Sequence, residues 1–456
     1  MVTVVLGSAI TAASVVRHVL ATGGEVIVVE DRPTVIADWL ERAATLETMG
    51  ATVIVAPDAE LLAATVARAE QLVPSPGVPE RHPAIASALE RGIPVRSEIE
   101  LAAMVAASRP NPPTLVAVTG TNGKTTVTTL TTAMLEASGV RVSAAGNIGA
   151  PLLDAVAEDL DVVVAEVSSF QLRFTEHFRP RAAALLNLGE DHLDWHRTFE
   201  AYAQAKRNVF AHQRSDDVVV FNADDPVVAG LVADAPGRRI PFSIAKGAAA
   251  GARVVDTANG RLLVTSDDVE LVAVDEMECT RPVDLANALA AAALATEVGA
   301  TVFGVGAALR AFRGIAHRMS LVVEADGVRW IDDSKATNVH ATLAAAQGID
   351  SLVLIAGGQN KGLDLAALGV LAPRLRGVVA IGDATDEVAH AFVGTEVPVR
   401  RAASMADAVR SARELARSGD TVLLSPGCAS FDWYSSYAAR GDDFAREVRT
   451  MERSAR

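Results

Sequence analysis

Lysine is almost missing from this chain. Of 41 Lys and Arg residues only five are lysines: Lys124, Lys206, Lys246, Lys335 and Lys361. Arginine carries the surface charge, so lysine stays mainly where a guanidinium cannot replace a compact amine. Four of the five lie in segments with chemical character, and Lys246 reads as a remnant. Cysteine is equally sparse. Cys279 and Cys428 are the only two, which excludes a disulfide framework or a cysteine metal cluster and makes a reducing cytoplasm the default setting. Aromatic residues are 4 %, so cores must be built from Ala, Val and Leu. No apolar run reaches the ~20 residues that span a bilayer, so no membrane insertion is expected. The opening Met-Val-Thr-Val-Val-Leu-Gly has no basic n-region and no cleavage site, so no signal peptide is expected. The net charge is −15, which argues against nucleic acid as the main partner. A dinucleotide fingerprint is lacking too. After Gly7 come Ser8, Ala9, Ile10, Thr11 and Ala12, with alanine where Gly-x-Gly-x-x-Gly needs glycine, so NAD binding is not read.

What is present is globular. Half of the 456 residues are apolar and 21 % are charged, and this length suggests roughly two to four domains. Residues 1–108 alternate β-branched runs (Val2–Leu6, Glu25–Glu30, Thr52–Val55) with alanine-rich helical stretches, the pattern of a Rossmann-like parallel α/β unit. Arg109-Pro110-Asn111-Pro112-Pro113 is a linker that no helix crosses. A second α/β unit, 109–314, has strands expected at Leu115–Thr119, Val140–Ala145, Asp161–Glu166, Ala182–Leu188 and Asp217–Asn222. A small antiparallel insertion is expected over 238–275. Helices are expected near 284–298 and 302–312. The last unit, 315–456, opens with a hairpin, Ser320–Glu324 and Val328–Ile331, around Asp326-Gly327. Strands are then expected at Ser351–Ala356, Val378–Ile381 and Thr421–Leu424. The alanine run 288–295 reads as close helix packing.

Val-Thr-Gly-Thr-Asn-Gly-Lys-Thr-Thr, residues 118–126, follows a strand and opens a helix. Gly120 and Gly123 let the backbone curl its N–H groups inward, and the helix N-terminus adds positive potential. Lys124 can reach the β- and γ-phosphates of a nucleotide, and the Thr125 hydroxyl can ligate Mg²⁺. Val118 stands where the longer P-loop form has its first glycine. Glu166 ends a strand at the carboxyl edge, where a carboxylate can hold magnesium. His192, in an acidic loop after another strand, suits a metal ligand or a phosphate neighbour. Lys206 falls on a helix expected at Phe199–Phe210. Glu30 and Asp31 end the second strand, where a ribose-binding acid would sit in a dinucleotide fold.

Six runs occur in order: Gly-Thr-Asn-Gly-Lys-Thr-Thr, Asn-Ile-Gly at 147–149, Glu-Val-Ser-Ser-Phe-Gln-Leu at 166–172, Asn-Leu-Gly-Glu-Asp-His-Leu-Asp at 187–194, His-Arg at 317–318 and Asp-Asp-Ser-Lys-Ala-Thr-Asn at 332–338. Together with Ser-Pro-Gly-Val at 75–78 and Leu-Ser-Pro-Gly-Cys-Ala-Ser-Phe-Asp at 424–432, they resemble the Mur ligases, and among them the glutamate-adding branch. The resemblance implies an ATP-dependent amide ligase in cytoplasmic peptidoglycan precursor synthesis. It implies ATP and two magnesium ions as cofactors, with UDP-N-acetylmuramoyl-L-alanine and D-glutamate as the molecules joined. A single chain is the expected unit. The first domain would hold the nucleotide-sugar, the middle one ATP and the last the amino acid.

The resemblance also assigns residues. Gly120, Thr121, Asn122, Gly123, Lys124, Thr125, Thr126, Asn287, Arg318 and Asp333 are expected at ATP: Asn287 on adenine, Asp333 on ribose, Arg318 on phosphates. Val283-Asp284 stands where the family often has His-Asn, and Asp284 can instead cap the following helix. Thr125, Glu166, His192 and Lys206, the last as a carbamate, are the expected magnesium ligands. Lys124, His192, Lys206 and Lys335 are the expected catalytic residues. Carbamylation explains why arginine cannot stand at 206: carbon dioxide adds to a neutral amine, which guanidinium does not offer. Ile10, Thr11, Asp31, Arg32 and Gly77 are expected near the nucleotide-sugar, though Arg32-Pro33 also fits an ordinary loop. Asn147, Ser168 and Gln171 are further substrate residues. Thr337, Lys361, Ser430, Phe431 and Tyr437 are expected around D-glutamate, where a dicarboxylate needs a cation and hydroxyl or backbone donors. Tyr437 takes a place where phenylalanine is common. The rival readings are another muramyl-peptide ligase or a folylpolyglutamate synthase, and, outside ligases, a P-loop switch ATPase. A switch would leave Glu166, His192, Lys206 and the last domain without a role.

Overall fold

The computed structural model describes residues 1–31, 37–248 and 250–454, with the side chains of 37, 38 and 454 left aside. Its strands form three sheets. The first contains β1 (Val2–Leu6), β2 (Glu25–Glu30), β3 (Thr52–Val55) and β4 (Gln71–Pro74), in the order β3-β2-β1-β4, all parallel. Its inner strands are near-continuous valine and isoleucine, as expected where helices cover both faces.

The second sheet has nine strands: β5 (Thr114–Thr119), β6 (Val142–Gly146), β7 (Val162–Glu166), β8 (Ala182–Leu185), β9 (Val218–Asn222), β10 (Arg238–Ser243), β11 (Ala252–Thr257), β12 (Gly260–Val264) and β13 (Glu270–Ala273). The order is β13-β12-β11-β10-β9-β8-β5-β7-β6. β5 lies between β7 and β8, so the chain changes direction across the sheet at β5. Ligands of open α/β sheets bind beyond the carboxyl ends of strands at such a point. The expected antiparallel insertion is narrower than 238–275. β10 pairs parallel with β9 and with β11, and only β11, β12 and β13 run antiparallel. The stretch is thus the edge of the main sheet.

The alanine run behaves as read. The helix Pro282–Glu297 buries Ala288, Ala290, Ala291, Ala292 and Ala295 together with Leu285, Leu289 and Leu294. It packs on the helix Lys124–Glu136 that follows the phosphate loop. Small side chains let the two backbones approach, and that approach brings Asn287 to the loop.

The third sheet contains β14 (Ser320–Ala325), β15 (Val328–Asp332), β16 (Leu352–Gly357), β17 (Leu375–Ile381), β18 (Val399–Arg401) and β19 (Thr421–Leu424), ordered β14-β15-β19-β16-β17-β18. Only the β14–β15 hairpin is antiparallel. The chain divides into two compact units, residues 1–188 with 200–312 and residues 189–199 with 313–456. The first holds two sheets and the second holds one. No helix among the described residues is long and apolar enough to cross a membrane.

Within the first unit, buried carboxylates tie the helix Glu98–Ser108 to segments around the second sheet. Glu100 accepts from the backbone N–H groups of His177 (2.9 Å) and Phe178 (3.0 Å). Glu98 accepts from the N–H of Leu153 at 2.5 Å. Burial pushes its carboxyl up to about 7, aided by the nearby charge of Asp154 and opposed by the backbone donors Leu153 and Leu152. The folded state therefore holds this proton more tightly than the unfolded chain does. Its contribution is full in acid and is lost as the pH climbs from the ordinary carboxylate range through about 7. Glu98→Gln keeps an oxygen acceptor and removes the titration. It should leave the melting temperature little changed at about pH 5 and raise it at about pH 8, by roughly 2–4 °C per kcal/mol relieved. Thermal melts of both proteins across that range check this; an equal shift at both ends contradicts it.

Candidate functional site

The phosphate loop leaves the end of β5, and its shape depends on two glycines. Gly123 has φ +88° and caps the helix Lys124–Glu136; a Cβ there would lie 2.5 Å from Asn287 Oδ1. A Cβ on Gly120 would lie 2.9 Å from Leu186 Cβ. Both separations are shorter than side chains tolerate, so close approach fixes glycine at both places. Asn187 clamps the loop from the end of the neighbouring strand segment. Its backbone oxygen accepts from Thr121 N at 2.9 Å, its Oδ1 accepts from Asn122 N at 2.8 Å, and its Nδ2 donates to Asn122 O at 3.0 Å. No role was foreseen for Asn187, although it lies in the quoted run 187–194.

Two ammonium groups meet at this loop. Lys124 Nζ donates to the carbonyls of Gly120 and Thr121, both at 2.8 Å. Lys206 Nζ, on the helix Phe199–Arg207, donates to the same Gly120 carbonyl at 2.9 Å and to Thr119 Oγ1 at 3.4 Å. Lys206 is 2 % exposed and lies 4.8 Å above the ring of Tyr202. The Tyr202 hydroxyl in turn bonds Thr121 Oγ1 at 2.9 Å. Tyr202 went unassigned in the sequence, where the only sign is its position one helical turn before Lys206.

Three buried polar atoms around the loop have no hydrogen-bond partner. They are Glu166 Oε2, Asn287 Nδ2 and Thr126 Oγ1. Glu166 ends β7 and is 2 % exposed; its other oxygen accepts from Asn147 Nδ2 at 2.8 Å. An acceptor buried without a donor suits a cation, and a buried amide N–H₂ suits an acceptor on a ligand, because orphaned polar groups are costly. The donor chemistry at the loop therefore fits magnesium and a nucleotide. Thr125 stands half-buried beside Thr126 on the same first turn. Among the described residues no three His, Cys, Asp or Glu side chains converge as a metal cluster. Thr125, Glu166 and Lys206 belong to the first compact unit and His192 to the second.

Other expected residues have structural partners. Ser168 and Gln171 cap one another: Ser168 N donates to Gln171 Oε1 at 2.9 Å and Gln171 N to Ser168 Oγ at 3.3 Å, closing the short helix Ser169–Leu172. Asp284 serves its helix, accepting from Arg281 N at 3.2 Å and Arg281 Nε at 2.7 Å. At the first sheet, Asp31 is paired with His82 Nε2, a partner the sequence did not suggest. Ile10 is 71 % exposed at the start of the helix Ile10–Ala21, Thr11 follows it half-buried, and Gly77 is exposed. Arg32 lies outside the described residues.

In the second unit most of the remaining residues lie on loops after β15, β16 and β19, while Arg318 precedes β14 and Tyr437 opens the helix Tyr437–Ser454. Arg318 sits between His317 and Met319, both left-handed at φ +59° and +51°, a conformation that non-glycine residues adopt only when held. His317 is held by Asp332 at 2.7 Å, and the Met319 N–H by Asp333 Oδ1 at 3.2 Å. Asp333 Oδ2 also accepts from Ser425 Oγ at 2.8 Å. Lys335 Nζ donates to the Tyr437 hydroxyl at 2.9 Å and lies 4.5 Å from its ring, so the hydroxyl that distinguishes Tyr437 from phenylalanine has a definite partner. Lys361 is ion-paired with Asp191 at 2.8 Å. Thr337 is half-buried, Ser430 is 2 % exposed and Phe431 68 % exposed.

One residue behind this group was not foreseen. Arg440, on the helix Tyr437–Ser454, is 1 % exposed and donates to Ser334 Oγ (2.9 Å), Ser334 O (2.9 Å), Cys428 O (3.1 Å) and Ala429 O (3.1 Å). Burial lowers its pKa to about 10. The guanidinium ties the 332–338 run to the 428–431 run with a fixed fork of donors. Nothing local in the sequence marks it.

Three family descriptions match this chain in order: "Mur ligase MurD-like, N-terminal domain" over residues 1–97, "Mur ligase middle domain" over 118–295 and "Mur ligase, glutamate ligase domain" over 317–428. The UDP-N-acetylmuramoylalanine--D-glutamate ligase of Frankia casuarinae is 46 % identical, covering 98 % of this chain and 94 % of its own. The protein of the same name from Thermobifida fusca is 39 % identical over 98 % of both chains. Among solved structures, a pseudomurein peptide ligase type C from Methanothermus fervidus superposes with a TM-score of 0.62 at 18 % identity, covering 99 % of each chain. The MurF ligase of Thermotoga maritima in complex with ADP gives 0.61 at 16 % identity, covering 94 % of this chain and 96 % of that one. At such identities the structural likeness concerns the fold.

Proposed function

This chain belongs to the Mur ligase family, ATP-dependent enzymes that form carbon–nitrogen bonds, and on that footing we propose that it joins D-glutamate to UDP-N-acetylmuramoyl-L-alanine in peptidoglycan precursor synthesis. The observation that carries the chemistry is the glycine loop on which the Lys124 and Lys206 ammonium groups converge at one carbonyl, Gly120 O. Full-length similarity to D-glutamate ligases supports the choice of amino acid.

The proposed reaction has two steps. A carboxylate oxygen of the substrate's L-alanine attacks the γ-phosphorus of ATP, the bond to the β-phosphate oxygen breaks, and ADP leaves. The amine of D-glutamate then attacks the acyl carbon, loses a proton, and expels inorganic phosphate as the amide forms. The loop N–H groups and Lys124 would position the phosphates and neutralise charge during transfer. Asn287, Asp333 and Arg318 would hold the adenine, ribose and phosphates. Thr125, Glu166, His192 and Lys206 as a carbamate are the proposed magnesium ligands; magnesium would supply Lewis-acid neutralisation of phosphate charge. Lys335 would meet the acyl-phosphate carboxylate. Lys361, Thr337, Ser430, Phe431 and Tyr437 would receive D-glutamate. Residues 1–108, 109–314 and 315–456 would hold the nucleotide-sugar, ATP and the amino acid respectively, in the cytoplasm.

An amino-acid panel with ATP, magnesium and UDP-N-acetylmuramoyl-L-alanine tests this reading. Phosphate release should require both the nucleotide-sugar and an amino acid, with D-glutamate strongly preferred and its amide seen by mass spectrometry. Preference for another amino acid, or hydrolysis without either substrate, contradicts it. An ¹⁸O label in the substrate carboxylate should appear in the inorganic phosphate; its absence there removes the acyl phosphate.

A further inference from the structure

Asp191 is a buried carboxylate that accepts from Lys361, His192 and Asn338, all within the second compact unit. Its side chain is 6 % exposed. Oδ1 accepts from Lys361 Nζ at 2.8 Å and from the N–H of His192 at 2.9 Å. Oδ2 accepts from Asn338 Nδ2 at 3.0 Å and lies 3.7 Å from His192 Nε2. Asn338 is fixed at its other end too, since its Oδ1 caps the helix Val339–Ala345 by accepting from Ala341 N at 2.8 Å. The loop that carries Asp191 rests against the same helix: a Cβ on Gly189 would lie 3.0 Å from the ring of His340.

We propose that Asp191 is a positioning residue for the incoming amino acid, aiming Lys361 and the Thr337–Asn338 corner at its carboxylates. This deepens the proposed function and rests on its assignment of Lys361 and Thr337 to D-glutamate. An ammonium has three protons. Asp191 takes one of the Lys361 protons, leaving two for a substrate carboxylate. Without that anchor, a flexible four-carbon stem must be ordered at the moment of binding, with a loss of side-chain entropy. Asp191 could instead be imagined as a stand-in that substrate displaces. The donor set argues otherwise: displacement would strip a buried carboxylate of its charge-assisted bond to an ammonium, at a cost. A second consequence concerns position 192. Because the Asp191 carboxylate also holds the His192 N–H, one side chain fixes both the amino-acid cation and the left-handed turn at His192, where φ is +55°.

The test is Asp191→Asn in the full chain, with amino-acid-dependent phosphate release measured against varied D-glutamate and, separately, varied ATP. Loss of a charge-assisted bond to Lys361 should raise the KM for D-glutamate about 10- to 100-fold, with the KM for ATP changed by no more than about threefold, because the asparagine amide oxygen can still accept from the His192 N–H and hold that turn. In a Lys361→Met background the same substitution should add no further rise, since coupled residues are not additive. Thermal melts confirm that each variant is folded. An unchanged or lowered KM for D-glutamate, a parallel rise in the KM for ATP, or additive effects in the double variant overturns the proposal. If instead the unaltered protein does not use D-glutamate, the reading of function has failed on its own, and the amino-acid panel shows it.

Discussion

Lys124→Ala should lower amino-acid-dependent phosphate release on the order of 10³-fold while the protein stays folded, the scale seen when a preorganised donor is removed from a site of developing charge. The structure explains why fold and function should separate. Lys124 Nζ is bonded to the carbonyls of Gly120 and Thr121. Gly120 O keeps a second donor, Lys206 Nζ, when Lys124 is cut. The loop is also clamped from the other side by Asn187, and alanine is a good residue for the first turn of a helix. Lys124→Arg should recover little. The guanidinium is larger and planar, whereas this loop receives a compact point charge at a place where glycine leaves just enough room. Steady-state phosphate release with a thermal melt of each variant checks the prediction. Retention of more than about a tenth of turnover by Lys124→Ala would remove the lysine from the transfer step.

Lys206→Ala should cost nearly as much, roughly 10²–10³-fold, and the loss should be partly reversible. In the proposed chemistry the neutral Lys206 amine adds to carbon dioxide, a proton leaves, and a carboxylate is mounted on the side chain. Removing the side chain empties a buried space between Thr119, Gly120 and the Tyr202 ring, and a small carboxylic acid can place its carboxylate there. Formate, acetate or propionate should therefore restore part of the turnover to Lys206→Ala and none to Lys206→Arg, whose guanidinium fills the space and forms no carbamate. Full activity of Lys206→Ala, or rescue of both variants alike, would show that no carbamate is involved. Labelled bicarbonate offers an independent readout: the unaltered protein should give a carbamate carbon signal that Lys206→Ala lacks.

The parts of the fold written in local chemistry were legible from the sequence. β5, the loop after it and the helix from Lys124 follow from glycine spacing and the switch from strand to helix period. The Asp326-Gly327 hairpin is likewise a matter of turn chemistry. Two short strands escaped: β18 has three residues, too few to show a period, and β4, Gln-Leu-Val-Pro, ends in a proline that marks it down as a strand. The direction of β10 escaped for a different reason. Arg-Arg-Ile-Pro-Phe-Ser alternates like an antiparallel edge, but its pairing with β9 is decided across the sheet. At the site, residues inside dense motifs could be named, while their supports could not. Asp191 and Lys361 are 170 positions apart, and Arg440 and Ser334 are 106 apart. Such partners are set by tertiary packing, and no window of sequence contains them.

The placement of β19 bears on how this protein is made. In the third sheet, β19 is synthesised last but lies between β15 and β16, pairing parallel with both. Until it emerges from the ribosome, the hairpin and the β16–β18 half share no hydrogen-bonded seam, and each exposes a raw strand edge. Folding of this unit must then await the synthesis of β19. A stalled chain ending before residue 421 would leave this unit unassembled and a target for chaperones and proteases.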